Sequence, residues 1–266
     1  MMKAFRPWRA VGPVLLILAM LCARAWGEDF RIESKTFSGK EKMPASETVT
    51  LFRAGVVYDY LSDPPGVAVF DKAHGRFILL NPTRKVKTEI KTDDVLTFAQ
   101  SIKGAAGQSQ NKFLKFSANP EFHSQFDEER EELSLTSPYM TYQVLTAKAK
   151  NLAAAQQYRE FLDWYARLNA ITNPSSPPPF PRLVLNEHLA NRELIATQVQ
   201  LTIPSQGPLG GKSQELRSEH KVTWRLLPRD LDKIAETANQ LTAFKAVSFN
   251  DYRMPAGSRS ASVTKR

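Results

Sequence analysis

The sequence predicts an α+β protein: a curved antiparallel sheet, half of a barrel, with helices packed on one side. Three observations carry that expectation. Residues 30–90 fall into short runs rich in Val, Ile, Thr, Tyr and Phe, separated by tight turn signals. Later stretches place apolar residues at helical spacing instead. The element order (strands, helix, strands, helix, strands, helix) lacks the strand-for-helix alternation of a parallel sheet.

Residues 1–27 read as an address. Lys3, Arg6 and Arg9 make a positive start, and Val11 to Ala23 is an apolar run broken only by Gly12 and Pro13. That run is shorter than the roughly 20 residues a helix needs to cross the hydrocarbon core. It fits the central region of a cleaved secretory signal. Ala25 and Gly27 supply small residues for a cut before Glu28, and a cut after Ala25 is the alternative. Cys22 is the single cysteine, preceded by Leu21 and not by the small residue a lipoprotein signal prefers. With the cut at 27 the mature chain has no cysteine, which excludes disulfides, thiol catalysis and Cys-ligated zinc. These features point to a bacterial periplasmic or secreted protein: signal 1–27, one domain 28–252, and a basic tail 253–266 without regular structure.

Within the domain, strands are expected at Phe30–Phe37, Glu47–Arg53, Val56–Leu61, Val67–Asp71, Arg76–Leu80 and Lys85–Ile90. The turns between them include Ala54-Gly55, Asp63-Pro64-Pro65-Gly66, His74-Gly75 and Asn81-Pro82. Such short connections imply an antiparallel meander. Phe77 to Leu80 is apolar on both faces, so the middle of the sheet is expected to be covered on both sides. Thr92 opens a helix, with Asp93 and Asp94 favourable in its first turn. Gly104 to Asn111 reads as a loop. Phe122–Phe126 and Leu133–Thr136 form a hairpin around an acidic tip, and Met140–Ala147 is a further strand.

The clearest helix is 151–170, where Ala154, Tyr158, Phe161, Leu162, Tyr165 and Leu168 share one side. Residues 174–181 form a stiff, Pro-rich connector. A short helix or turn follows near Asn186–Glu193. Alternation at Ile195, Thr197, Val199, Leu201 and Ile203, and again at His220, Val222, Trp224 and Leu226, gives two long strands joined by the loop 204–215. Pro228 starts a last helix with Leu231, Ile234, Ala235, Ala238, Leu241 and Phe244 on one side.

The formal charge of +9 is not a binding face. The two termini carry the excess, while the body 28–252 holds 28 basic and 27 acidic residues. Nucleic acid is therefore not an expected partner.

The segment Gly55–Leu96 runs strand, tight turn, strand ending in Asn-Pro, polar strand, then a helix opening with acids. In this element order the chain resembles the LolA/LppX-type fold of periplasmic lipoprotein carriers. The resemblance covers 28–150 and extends to 190–250. It implies a curved sheet wrapped around a hydrophobic cavity lidded by helices. The long helix 151–170 and the Pro-rich connector depart from the compact carriers. The family has no catalytic signature to carry over.

Motifs with chemistry of their own are few. Gly207 to Ser213 (G-P-L-G-G-K-S) lacks the leading glycine of a phosphate loop and joins two strands where that loop joins strand to helix. Asp127 to Glu132 lacks the alternation of a calcium loop. His74, His123, His188 and His220 have no metal-ligand spacing. Gly107-Gln108-Ser109-Gln110-Asn111 lacks the second glycine of a nucleophile elbow. No cofactor, metal site or catalytic set is expected, so the chain reads as a non-enzyme. The aromatics remain, with Phe161, Trp164 and Tyr165 clustered on one helix. Either they fill a core, or the concave sheet face, with Val69, Phe77, Leu79, Tyr142, Val222 and Trp224, lines a pocket for an acyl chain. On the second reading the protein carries a lipid-like or other apolar ligand, and its partner is a lipid or lipoprotein. On the first it is a structural or interaction protein of the cell envelope. An enzyme of unknown type is a third, weaker reading.

Overall fold

The computed structural model describes residues 27–173, 176–205 and 213–254. The expected signal run, Cys22, most of the Gly207–Ser213 loop and the basic tail beyond Met254 lie outside those residues.

Six strands form a first meander: β1 (Phe30–Ser38), β2 (Ser46–Arg53), β3 (Val56–Leu61), β4 (Gly66–Asp71), β5 (Arg76–Asn81) and β6 (Val86–Lys91). Helices α1 (Thr92–Gln108) and α2 (Lys112–Ala118) follow. Then come β7 (His123–Asp127), β8 (Glu132–Thr136), β9 (Thr141–Lys148), helices α3 (Leu152–Thr172) and α4 (Phe180–Ala190), and the long pair β10 (Leu194–Ile203) and β11 (Gln214–Thr223). Helix α5 (Pro228–Ala243), the two-residue strand β12 (Lys245–Ala246) and α6 (Phe249–Arg253) complete the described chain.

All the strands join one open sheet in the order β12-β6-β5-β4-β3-β2-β1-β11-β10-β9-β8-β7. The fold is α+β. Two meanders meet where β1 pairs antiparallel with β11, from Arg31 opposite Thr223 to Ser38 opposite Leu216. Among the described residues only β12 pairs in parallel, at the end of the sheet against β6. The Ala54-Gly55 turn works because both residues take positive φ, 49° and 82°, which suits the twist of a two-residue hairpin.

Residue alternation assigns the two faces. One carries Phe30, Phe52, Val57, Phe70 and Phe77, which pack with Phe161 and Tyr158 of α3. The same face continues across β10, β9 and β8 as Val199, Val144, Tyr142, Leu133 and Leu135, packed under Leu185 and Leu189 of α4. The other face carries Val67, Val69 and Leu80 under Leu241 and Phe244 of α5. So α5 adds cover on the side opposite α3 and α4. This two-sided cover satisfies the apolar run Phe77–Leu80, whose neighbours in sequence face opposite ways. A buried pair pins α5 in place: Arg31 Nη1 donates to Asp230 Oδ1 at 3.1 Å, with the two residues 3% and 1% exposed.

Several local expectations are corrected. The stretch Gly104–Asn111 is not a loop throughout. Helix α1 runs to Gln108 across Ala105 and Ala106, and Asn111 caps a second helix, α2, by accepting from the amides of Phe113 and Leu114. Helix α4 starts at Phe180, not near Asn186, so it takes the last two residues of the expected connector. Pro181 is harmless there because a first-turn N–H has no helical partner to lose. Strand β11 begins at Gln214 inside the expected loop and ends at Thr223, short of Trp224 and Leu226. The short α6 had no periodicity long enough to reveal it. The 151–170 helix stands, with Asn151 as its cap accepting from the Ala154 amide at 2.9 Å.

Candidate functional site on the helix-covered sheet face

The register divides the covered face into lanes that run across the strands. The first lane is Phe30, Phe52, Val57, Phe70, Phe77 and Ile90, all buried. Its rings interlock. Phe30 stacks on Phe52 at 4.0 Å between centroids, Phe70 on Phe77 at 4.8 Å, and Phe161 meets Phe52 edge-on at 5.6 Å. Each such pair contributes about 0.5–1.5 kcal/mol beyond burial alone. This end of the face is filled.

The second lane reads Val222, Ile32, Thr50, Asp59, Ala68, Leu79 and Thr88. Asp59 is the buried acid in it. Thr50 donates to its Oδ1 at 2.6 Å, and Tyr165 of α3 hydrogen-bonds to it as well. Burial raises the Asp59 pKa against the opposing effect of those two bonds. The Asp59 charge, with burial behind it, pushes the Tyr165 phenol well above its ordinary value. Burial and the donated bonds pull this carboxyl in opposite directions, and burial is the larger effect.

The third lane is His220, Ser34, Thr48, Leu61 and Gly66, and the fourth starts with Ser218 and Thr36. Apart from Leu61 these side chains are small or polar, and they are partly exposed where the first lane is sealed. Ser34 Oγ lies 2.8 Å from His220 Nδ1, and Ser218 Oγ lies 2.9 Å from Nε2. Burial, with the nearby Arg182 charge second, lowers the His220 pKa to about 4. The ring is neutral at ordinary pH, so one serine donates to it and the other accepts from it in either tautomer. This is a poor general base. Its proton affinity is low, and the second ring nitrogen faces a hydroxyl, not a carboxylate that would stabilise an imidazolium.

The residues expected from sequence divide three ways. Phe77, Leu79, Val222 and Trp224 gather in one cluster on the covered face. Tyr142 shares that face but belongs to the second cluster, where burial raises its phenol to about 12. Val69 does not join them. It pairs with Ile78 and packs under α5 on the opposite face, because it is one residue out of phase with Phe70. The sequence reading took Tyr165 only as one of the helix aromatics, and it missed Asp59 and Ser34. Asp59 and Ser34 were legible as polar residues in phase with buried ones; their partners, on distant segments, were not.

Two clefts open elsewhere. One, of about 530 Å³, lies along the outer side of α3 between α1 and the end of α4, with Leu96, Leu152, Trp164 and Arg167 among its walls. The other, of about 510 Å³, lies at the β6 edge beside Leu241 and Phe249. Neither is walled by Phe77, Leu79, Tyr142, Val222 or Trp224. Among the described residues no three His, Cys, Asp or Glu side chains converge as a metal site. The acidic run 127–132 is a hairpin tip, where Asp127 Oδ1 accepts from the amides of Glu129 and Arg130. No family model matches this chain, and no curated protein matches it significantly.

Proposed function

We propose that this is an exported, non-enzymatic protein of the bacterial envelope that takes a lipid-like or other apolar ligand on the helix-covered face of its sheet. The observation that carries this reading is the gradient across that face. Large interlocked aromatics seal one end, and the lanes beyond them mix apolar residues such as Ile32, Leu79 and Val222 with serine, threonine, alanine and glycine on the same face of the sheet. Small, partly exposed side chains beside a sealed apolar end are where a chain-like guest would lie on this reading. The apolar walls to either side supply its burial, at about 0.8 kcal/mol per CH₂. The likeness in element order to the LolA/LppX-type carriers supports the same reading.

The packed aromatics favour a second reading: a structural or interaction protein of the envelope whose core is full. Native mass spectrometry of the protein purified from a bacterial periplasm, with and without organic extraction, separates the two. A mass excess that extraction removes, identified as a lipid, supports the carrier reading. A clean mass that stays unchanged after incubation with mixed lipids sinks it and leaves the full-core reading. The same intact mass locates the signal cut.

A further inference from the structure

The β6 end of the sheet is finished only in part. Strand β12 covers β6 over two residues, with Lys245 opposite Val86 and Ala246 opposite Lys87. Lys245 N donates to Lys85 O at 3.1 Å, and Val247 N to Lys87 O at 2.9 Å. A strand turns its backbone groups toward one neighbour at every second residue, so Lys85, Lys87, Glu89 and Lys91 form the outward set of β6. The inner side of the strand agrees. Thr92 N donates to Gly75 O at 2.8 Å, which puts Glu89, opposite Ile78, out of hydrogen-bonding phase with β5. Past Val247 the chain leaves the edge at Ser248, the cap of α6. The N–H and C=O of Glu89 and the N–H of Lys91 are left facing outward, and among the described residues no group bonds to them there.

The cleft of about 510 Å³ opens at this same place. Ile78, Leu241, Val247 and Phe249 supply apolar walls, with Arg76 and Glu89 among them. Glu89 and Ile78 are cross-strand partners, and Ile78 lies on the face that α5 covers. A strand laid along Glu89 would send the side chain opposite it toward that same face, and so into the cleft.

The edge also has a sign. Lys85, Lys91 and Lys245 are exposed. The lysines that form ion pairs among the described residues are Lys35, Lys72 and Lys150, all elsewhere. Lys87 gives its ammonium to the Leu241 carbonyl, and Glu89, the one acid of β6, is held by Arg76 at 2.8 Å. Asp93 and Asp94 come only beyond the strand, in the first turn of α1. Lysines along an edge discourage pairing with a like edge. Here they repel a second copy of this strand and favour an acidic one.

We propose that the Glu89–Lys91 stretch of the β6 edge takes an extended acidic peptide from a partner protein, added to the sheet as a strand beyond β12, with one apolar side chain in the cleft and a carboxylate two residues away beside Lys91. Main-chain bonds give such a complex its affinity, and the pocketed side chain gives it specificity. This site is separate from the covered face and stands whether or not that face takes an apolar ligand.

The test uses the isotope-labelled protein and an end-capped peptide, T-E-T-I-T-E-T, whose symmetry serves either strand direction. Titration is expected to shift the Glu89 and Lys91 amide signals and to slow their hydrogen exchange. T-K-T-I-T-K-T is expected to bind about three-fold or more weaker, and T-E-T-A-T-E-T about ten-fold weaker. Lys91→Glu, an exposed change, is expected to narrow or reverse the preference for the acidic peptide, while unchanged signals from β1 to β5 report that the variant is folded. No effect at the two amides with millimolar peptide, or equal binding of the acidic and basic peptides, overturns the proposal. Protection of the same amides without peptide overturns it too. If that protection rises with protein concentration, the occupant is a second copy; if it is lost on removing residues 255–266, the occupant is the chain's own tail.

Discussion

Replacing Asp230 by alanine tests how α5 is held to the sheet. Asp230 is 1% exposed and Arg31 is 3% exposed, so the substitution leaves a guanidinium in a dry interface. Removing one partner of a buried pair costs about 3–5 kcal/mol. Two features adjust that figure. Glu33, 2.5 Å from the other guanidinium nitrogen and more exposed, keeps part of the compensation. Against this, Asp230 Oδ2 also accepts from the Leu227 amide at 2.7 Å, and losing that helix-start bond adds about 1 kcal/mol. The expected loss is therefore about 3–4 kcal/mol, a large fraction of the 5–15 kcal/mol typical of a domain. Urea unfolding of the chain from Glu28 onward, followed by far-ultraviolet circular dichroism, measures it. The double variant Arg31→Met with Asp230→Leu is expected to recover most of the loss, because it removes the stranded charge as well as its partner. A loss below about 1 kcal/mol in D230A, or a double variant no more stable than the single, would refute the reasoning.

Three further outcomes follow from the same geometry. The folded state holds His220 neutral, with a pKa near 4 against an ordinary 6.5, so the unfolded chain binds the extra proton between those values. Stability is then present above about pH 6.5 and falls as the pH drops toward 4, and His220→Gln should flatten that slope in urea titrations run across the window. Asp59 works in the opposite sense: its pKa is raised by burial, so its contribution is lost as pH rises. Asp59→Asn should therefore match the wild type near pH 4 and exceed it at pH 7, and a variant less stable than the wild type at pH 7 would contradict this. Arg84 donates to the carbonyls of Asp251, Tyr252 and Met254, at 2.8–2.9 Å, and so ties α6 to the β5–β6 turn. Arg84→Ala should speed hydrogen exchange in α6 with little change in the rest of the sheet, at a cost of about 1–2 kcal/mol to local stability.

The first meander and the long helix were legible in the sequence because their signals are local. Alternation, tight turns such as Ala54-Gly55, and the helical spacing of Tyr158, Phe161 and Leu168 each act within a few residues. Helix α4 was misplaced because its first turn carries a proline, which reads as a break although the first turn tolerates it. Helix α2 and β12 are too short to show a period. Val69 went to the wrong face because a reading from sequence locates a strand more surely than its phase, and one residue reverses every side chain. Local pattern alone carried the class of fold, most of the strands and the apolar character of the covered face, since these follow from preferences between near neighbours. The packing of the whole chain set which part of the sheet lies under α3 and α4, that α5 sits on the other side, that Asp59 meets Tyr165, and that Ser34 meets His220. Those pairings join segments separated by dozens of residues, and no local preference carries information about them; the packing of the whole chain does.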